Sequence, residues 1–182
     1  MLLLAILVLM VVMSGYFSAT ETAFTSLNRI RLKSRADNGD KKAEKTLALA
    51  EDYDKLLSTI LIGNNIVNNV AATLSTLLFI KLIGQTNGPA VSTLVLTVVV
   101  LIFGEISPKS LAKESPEAFA MFSAPLLRLF MALLTPLNFL FGLWKKLLTL
   151  LFHKEQDEGI TDEELVTMVV EAEDQGGLDK EE

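Results

Sequence analysis

Apolar residues are concentrated in four regions of the chain, and polar residues separate them: 2–13, 56–80, 90–103 and 118–152. A helix needs roughly 20 mainly apolar residues to cross the hydrocarbon layer of a membrane. Three regions approach this length together with their flanking residues. The pattern therefore predicts an all-α membrane protein with three transmembrane helices, at Leu2–Leu27, Leu56–Leu82 and Ala90–Phe103.

The fourth apolar region differs because helix breakers and a charge interrupt it. Pro125 and Pro136 divide residues 119–152 into pieces too short to span, and Arg128 would lie in the middle of a crossing. We therefore predict one or two juxtamembrane amphipathic helices that lie against the inner face of the membrane. A fourth crossing is the alternative that the length of the region leaves open.

The polar segment between the first two predicted spans determines the expected orientation. Residues 28–55 contain eight lysines and arginines, and short loops rich in these residues stay in the cytoplasm. We therefore expect a multi-pass protein of the cell inner (cytoplasmic) membrane, with its N-terminus outside and its C-terminus in the cytosol. Within this segment, Lys41–Tyr53 is predicted to be a surface helix, and contact with anionic lipid is an alternative role.

Charge divides the chain near His153. The full sequence has a net charge of −6, but residues 153–182 contain 12 acidic and 2 basic residues, whereas the rest is net positive. We predict a transmembrane ion-transport domain with juxtamembrane helices over 1–152 and the start of a cytosolic acidic helical region over 153–182. Thr161 and Glu164 have the spacing of a capping box at the start of a helix in this region.

Composition restricts the chemistry of any metal site. The chain has no cysteine and a single histidine, His153, which lies beyond the apolar regions. A metal ion within the membrane would therefore be bound by oxygen, as suits Mg²⁺, Ca²⁺ or Na⁺. Nucleic-acid binding is not expected because basic patches are sparse. An enzyme is not expected either, since no nucleophile–base pair or phosphate-binding loop is present.

The first two predicted spans contain polar side chains at helical spacing. Ser14, Ser18 and Glu21 follow one face of the first span, and an ionisable residue within a span is costly and usually functional. The second span contains Ser58 and, beside Gly63, four asparagines: Asn64, Asn65, Asn68 and Asn69. Such residues either connect packed helices or line a polar cavity, and the sequence leaves both interpretations open.

The end of the third span has the sequence LIFGEISPK, residues 101–109. In an α-helix, the missing N–H of Pro108 would leave the Gly104 carbonyl unpaired beside the Glu105 carboxylate. Two oxygen ligands, one of them charged, indicate a site for a hard cation. The alternative is an ordinary helix terminus with a hydrated carboxylate. At about 1.5 Å per residue, the polar groups of all three spans fall in the cytosolic half of the membrane.

Three motifs, SGYFSATETAFTSLNR, LLSTILIGNNIVNN and LIFGEISPKSLA, occur in this order. Together they resemble the transmembrane module of the CorC/cyclin M family of magnesium transporters, and the acidic segment that follows resembles the linker of that family. The resemblance implies a homodimer in the lipid bilayer that exports Mg²⁺ in exchange for Na⁺. It also implies that regulatory CBS domains, which these residues do not contain, belong to the full-length chain.

The resemblance further implies which residues bind the transported Mg²⁺. These are Ser18, Ser58, Asn64, the Gly104 carbonyl and Glu105. Neighbouring motif positions are candidates for the ion pathway or for residues that support the ligands: Ser14, Glu21, Asn65 and Lys109. Two alternative functions remain open at this stage, a passive Mg²⁺ channel and a membrane-anchored Mg²⁺ sensor or scaffold.

Overall fold

The computed structural model describes residues 1–151, and the regular elements in this range are helices. They are α1 (Leu2–Thr25), α2 (Arg29–Asp37), α3 (Lys41–Glu51), α4 (Tyr53–Ile83), α5 (Gly88–Val99), a π-helical segment (Val100–Ile106), α6 (Ser107–Glu114), α7 (Pro116–Leu133) and α8 (Thr135–Leu151). The predicted fold class, an all-α membrane protein, is confirmed. The charge boundary near His153 and the acidic segment 153–182 lie outside the described residues.

The second and third predicted spans fall within longer helical stretches, whereas the first, Leu2–Leu27, extends two residues beyond the end of α1 at Thr25. Helices α1 and α4, and the continuous stretch Gly88–Glu114, are long and apolar enough to cross a membrane. The third stretch continues beyond Phe103, where the predicted span ended. Helix α7 also has the length and hydropathy of a span, so within residues 1–151 length and composition alone give four candidates where the pattern predicted three.

Helix α7 corrects one premise of the prediction for the fourth apolar region, namely that Pro125 divides it. It continues through Pro125, because the face that contains the buried Ala124 and Leu127 packs against the bundle and offsets the lost backbone hydrogen bond. The break occurs instead at Leu134, and Pro136 lies in the first turn of α8, where a proline is tolerated. Arg128 is exposed on the surface of α7.

Helix α7 packs against the second half of α1. The Tyr16 hydroxyl donates to the Ser123 carbonyl at 2.8 Å, and the rings of Phe17 and Phe130 have their centroids 5.1 Å apart. Near the first turns of α4, the Asn138 side chain donates to the Thr59 hydroxyl at 2.8 Å. Contacts at α1, α7 and the start of α8 therefore hold this part of the compact unit Met1–Gly142 together.

Glycine permits the closest approach of α1 and α4. A Cβ atom on Gly63 would overlap the ring of Phe17, which is buried in the largest apolar cluster with Leu56 and Ile60. Because Gly63 has no side chain, the aromatic ring of α1 lies directly on the backbone of α4. This packing brings the polar face of α1 next to the asparagines of α4.

Helices α2 and α3 form a short capped hairpin that packs on α7, where Leu32 and Ala43 are buried together with Met121. The Asn28 side chain accepts from the first turn of α2, and Asp40 accepts the backbone N–H groups of Lys42 and Ala43 at the start of α3. These backbone donors keep the pKa of Asp40 below its usual value. Helix α3 matches the predicted surface helix to within two residues at its end.

Candidate cation site

Three elements meet at Ser14. This residue of α1 is fully buried, and its hydroxyl donates to Oδ1 of Asn64 in α4 at 3.2 Å. A Cβ atom on Gly104, in the π-helical segment, would lie 3.0 Å from Ser14 Oγ. The structure thus brings together three residues that belong to three different sequence motifs and three different predicted spans. We call Ser14, Asn64 and Gly104 the serine junction.

Ser18 lies one helical turn from the serine junction on α1. Its side chain is 1% exposed, and its hydroxyl oxygen has no hydrogen-bond partner in the described structure. A buried polar atom without a partner costs about 1–3 kcal/mol, and such atoms are rare in folded proteins. A cation at this position would give the Ser18 hydroxyl a partner, which agrees with its predicted role as a ligand.

The π-helical segment changes the predicted role of Pro108. The Ser107 N–H donates to the carbonyl of Ile102, five residues earlier, so the α-helical pairing that the prediction assumed does not hold here. In this wider pairing, the carbonyl that meets the missing N–H of Pro108 is that of Phe103. That oxygen lies 3.0 Å from the position of a Cβ atom on Gly15, so the π segment approaches α1 closely.

The carboxylate of Glu105 lines a cleft between α4 and α5 of about 290 Å³. Asn68 lines the same cleft. The side-chain amide of Asn68 also donates to Asn64 Oδ1 at 3.3 Å, while its own Oδ1 is buried without a partner. Asn68 therefore connects the serine junction to the cleft that contains Glu105. It was not among the predicted ligands, although its spacing of four residues from Asn64 indicated a shared helix face.

The other predicted residues lie apart from the serine junction. Ser58 is half-buried, and its hydroxyl makes no hydrogen bond to the other candidates in the described range. Asn65 is exposed and donates to the Leu61 carbonyl of its own helix. Glu21 forms an ion pair with Lys109 at 3.2 Å, which connects α1 to α6. Asn65 is thus directed away from the other candidates, and Glu21 and Lys109 form a separate contact.

The arrangement offers a hard cation mostly neutral oxygens. Among residues 1–151, no three His, Cys, Asp or Glu side chains come close enough to hold a metal together. The oxygen atoms that could bind a cation belong to hydroxyl, amide and backbone groups, and Glu105 adds one carboxylate. Mg²⁺ prefers six oxygen ligands in octahedral geometry and commonly keeps some of its water. The donor set therefore suits an ion that is partly dehydrated.

Comparison with known proteins gives a consistent family. Residues 4–182 match the family described as "Cyclin M transmembrane N-terminal domain". A UPF0053 protein of Haemophilus influenzae is 38% identical over 173 residues, covering 93% of this chain and 41% of its own length. The UPF0053 inner membrane protein YfjD of Escherichia coli is 39% identical over 166 residues, covering 89% of this chain and 39% of its own length.

A UPF0053 protein of Synechocystis is 32% identical over 188 residues, which cover 95% of this chain and 42% of that protein. The chain thus spans about two fifths of the length of these curated relatives. The similarity includes all three predicted spans.

Proposed function

Because this chain belongs to the cyclin M transmembrane family, we propose that it transports Mg²⁺ out of the cell in exchange for Na⁺. The direction and the coupling ion follow from the resemblance of its three motifs to magnesium transporters of the CorC/cyclin M type. A homodimer in the cytoplasmic membrane is part of the same proposal. The transported Mg²⁺ is the substrate, and the polar groups between α1, α4 and the π-helical segment are its binding residues.

The observation that supports this proposal most directly is the buried hydroxyl of Ser18. Its oxygen has no partner, although it lies one turn from a hydrogen-bonded serine at the junction of three elements. A residue that only connected helices would have its hydroxyl paired, as Ser92 does with Ser75. A buried oxygen without a protein partner is expected of a side chain that binds an ion.

Each proposed ligand has a distinct task. Glu105 supplies the negative charge, and Ser18 and Asn64 supply neutral oxygens that replace water around Mg²⁺. The backbone at Gly104 approaches the ion without a side chain in the way. Ser58 supplies a further neutral oxygen from the same helix as Asn64.

The test is Mg²⁺ flux in proteoliposomes that contain a Mg²⁺-sensitive dye. We expect flux in the unaltered protein that increases with an opposing Na⁺ gradient. Glu105→Gln should abolish flux because it removes the only charge among the proposed ligands. Glu44→Gln, which changes an exposed carboxylate of α3 in the same way, is the matched control and should transport normally.

Other outcomes would assign the protein to the alternative functions. Equal flux with and without a Na⁺ gradient would contradict exchange and favour a passive Mg²⁺ pathway. Mg²⁺ binding without any flux would favour a sensor or scaffold. Normal flux in Glu105→Gln, with the dimer intact, would refute the assignment of the ligand set.

A further inference from the structure

The cleft between α4 and α5 has a mainly apolar surface that is interrupted by polar side chains. Six of its lining residues carry a side-chain oxygen: Asn68, Thr76, Ser92, Thr93, Thr97 and Glu105. Its volume of about 290 Å³ equals that of roughly ten water molecules at about 30 Å³ each. Polar and ionisable groups at membrane depth usually face protein or water, because contact with lipid is costly.

These oxygens are distributed along the cleft from Thr93 to Glu105. The Ser92 hydroxyl donates to the Ser75 hydroxyl at 2.8 Å, which places α5 and α4 antiparallel and in a defined register. Thr93 lies near the turn between α4 and α5, and Glu105 lies at the opposite end of the cleft. Twelve residues separate these two positions, so the polar lining extends over about 18 Å.

Asn68 lies where the cleft meets the serine junction. Its amide donates to Asn64 Oδ1, which also accepts from Ser14. Its Oδ1 atom is buried and has no partner. The register of α4 and α5 places Asn68 between the levels of Thr97 and Glu105. An ion that leaves the serine junction therefore meets the Asn68 oxygen before the hydroxyls of the cleft.

We propose that the α4–α5 cleft is a water-filled pathway for a partly hydrated cation, and that Asn68 is the ligand that connects this pathway to the serine junction. The pathway depends on the proposed function for its ion, but its water content is testable without any transport. The alternative occupant is a lipid acyl chain, which would fill the cleft and exclude water.

Labelling of single cysteines tests the water content, since the chain has no natural cysteine. Thr97→Cys and Thr93→Cys place a thiol in the cleft lining. Val98→Cys and Leu94→Cys are the matched controls, because these neighbouring residues are exposed on the same helix but do not line the cleft. The full chain in proteoliposomes is treated with a charged, membrane-impermeant thiosulfonate reagent.

We expect the two cleft thiols to react at least about tenfold faster than the controls, because a thiol in apolar surroundings stays protonated and unreactive. Reaction at Thr97→Cys should also reduce Mg²⁺ flux several-fold. Rates equal to those of Val98→Cys would overturn the proposal, and so would fast labelling that leaves flux unchanged. If the unaltered protein shows no Mg²⁺ flux but the cleft thiols react fast, the result contradicts the proposed transport and supports a water-filled cleft.

Discussion

Ser18 gives the sharpest prediction, because a ligand and a packing residue respond to Ser18→Ala with opposite signs. Its hydroxyl is buried and unpaired, so it destabilises the protein when no ion is bound. Ser18→Ala removes this unpaired oxygen and leaves only a small cavity. We expect the protein without Mg²⁺ to keep its stability or to gain up to about 1 kcal/mol.

Ser123→Ala is the matched control. Ser123 is also 1% exposed, but its hydroxyl donates to the Ala120 carbonyl at 3.2 Å. Losing this hydrogen bond should cost about 1 kcal/mol in the absence of Mg²⁺. The two substitutions remove the same atom from equally buried positions, so the difference between them isolates the effect of pairing.

Mg²⁺ should narrow the difference in stability between the two variants. At a Mg²⁺ concentration one hundred times Kd, binding stabilises the folded protein by about 2.7 kcal/mol. If Ser18→Ala weakens binding about tenfold, this gain falls to about 1.4 kcal/mol at the same concentration. Ser123→Ala should keep the full gain, because Ser123 lies in α7 and makes no contact with the serine junction.

The assay is thermal unfolding of the purified protein in detergent, measured over a Mg²⁺ titration, with Ca²⁺-free buffer and constant ionic strength. Two results together would refute this prediction. Without Mg²⁺, Ser18→Ala would be less stable than the unaltered protein by more than about 1 kcal/mol, and Mg²⁺ would still stabilise the variant fully. Ser18 would then be a packing residue whose hydroxyl has no role in binding.

Three further substitutions test the contacts around the site. Gly63→Ala should destabilise the protein by about 1–3 kcal/mol, because the added methyl group overlaps a buried aromatic ring; Gly142→Ala, which meets nothing within 4 Å, should be neutral in the same unfolding assay. Asn65→Ala should leave Mg²⁺ affinity unchanged in a titration, since Asn65 is exposed and bonds only its own helix, and a large loss would place it among the ligands. Lys109→Gln should change stability by less than about 1 kcal/mol, because its ion pair with Glu21 is partly exposed; a larger change measured by unfolding would show that this pair is a main connection of α1 to α6.

The sequence predicted the spans well because long apolar segments can be buried only as helices in a membrane. It also placed the polar groups of three spans at one depth, and the contacts of Ser14 with Asn64 and Gly104 agree with that estimate. Helical spacing cannot tell which of two adjacent asparagines is directed towards a neighbour. Asn64 meets α1 while Asn65 is exposed, and only the packing of α4 determines this.

Proline was the least reliable signal. Pro125 does not end its helix, because the packing of the opposite face of α7 compensates for one lost hydrogen bond. Pro108 does follow a change in the helix, but the change is to π-helical pairing, which begins at Val100. The close contact of Phe103 with Gly15 of α1 accompanies this pairing. Such a contact joins residues far apart in the chain, so local spacing gave no sign of it.

The π-helical segment has a consequence for the direction of Glu105. In a regular α-helix, residues eight apart, such as Thr97 and Glu105, are rotated by about 80° from each other. A π-helical turn accommodates about one additional residue, so the effective separation becomes seven residues and the rotation falls to about 20°. Thr97 and Glu105 therefore line the same cleft, while Gly104 still meets Ser14. One local change in pairing thus directs the adjacent residues Gly104 and Glu105 to the serine junction and to the cleft.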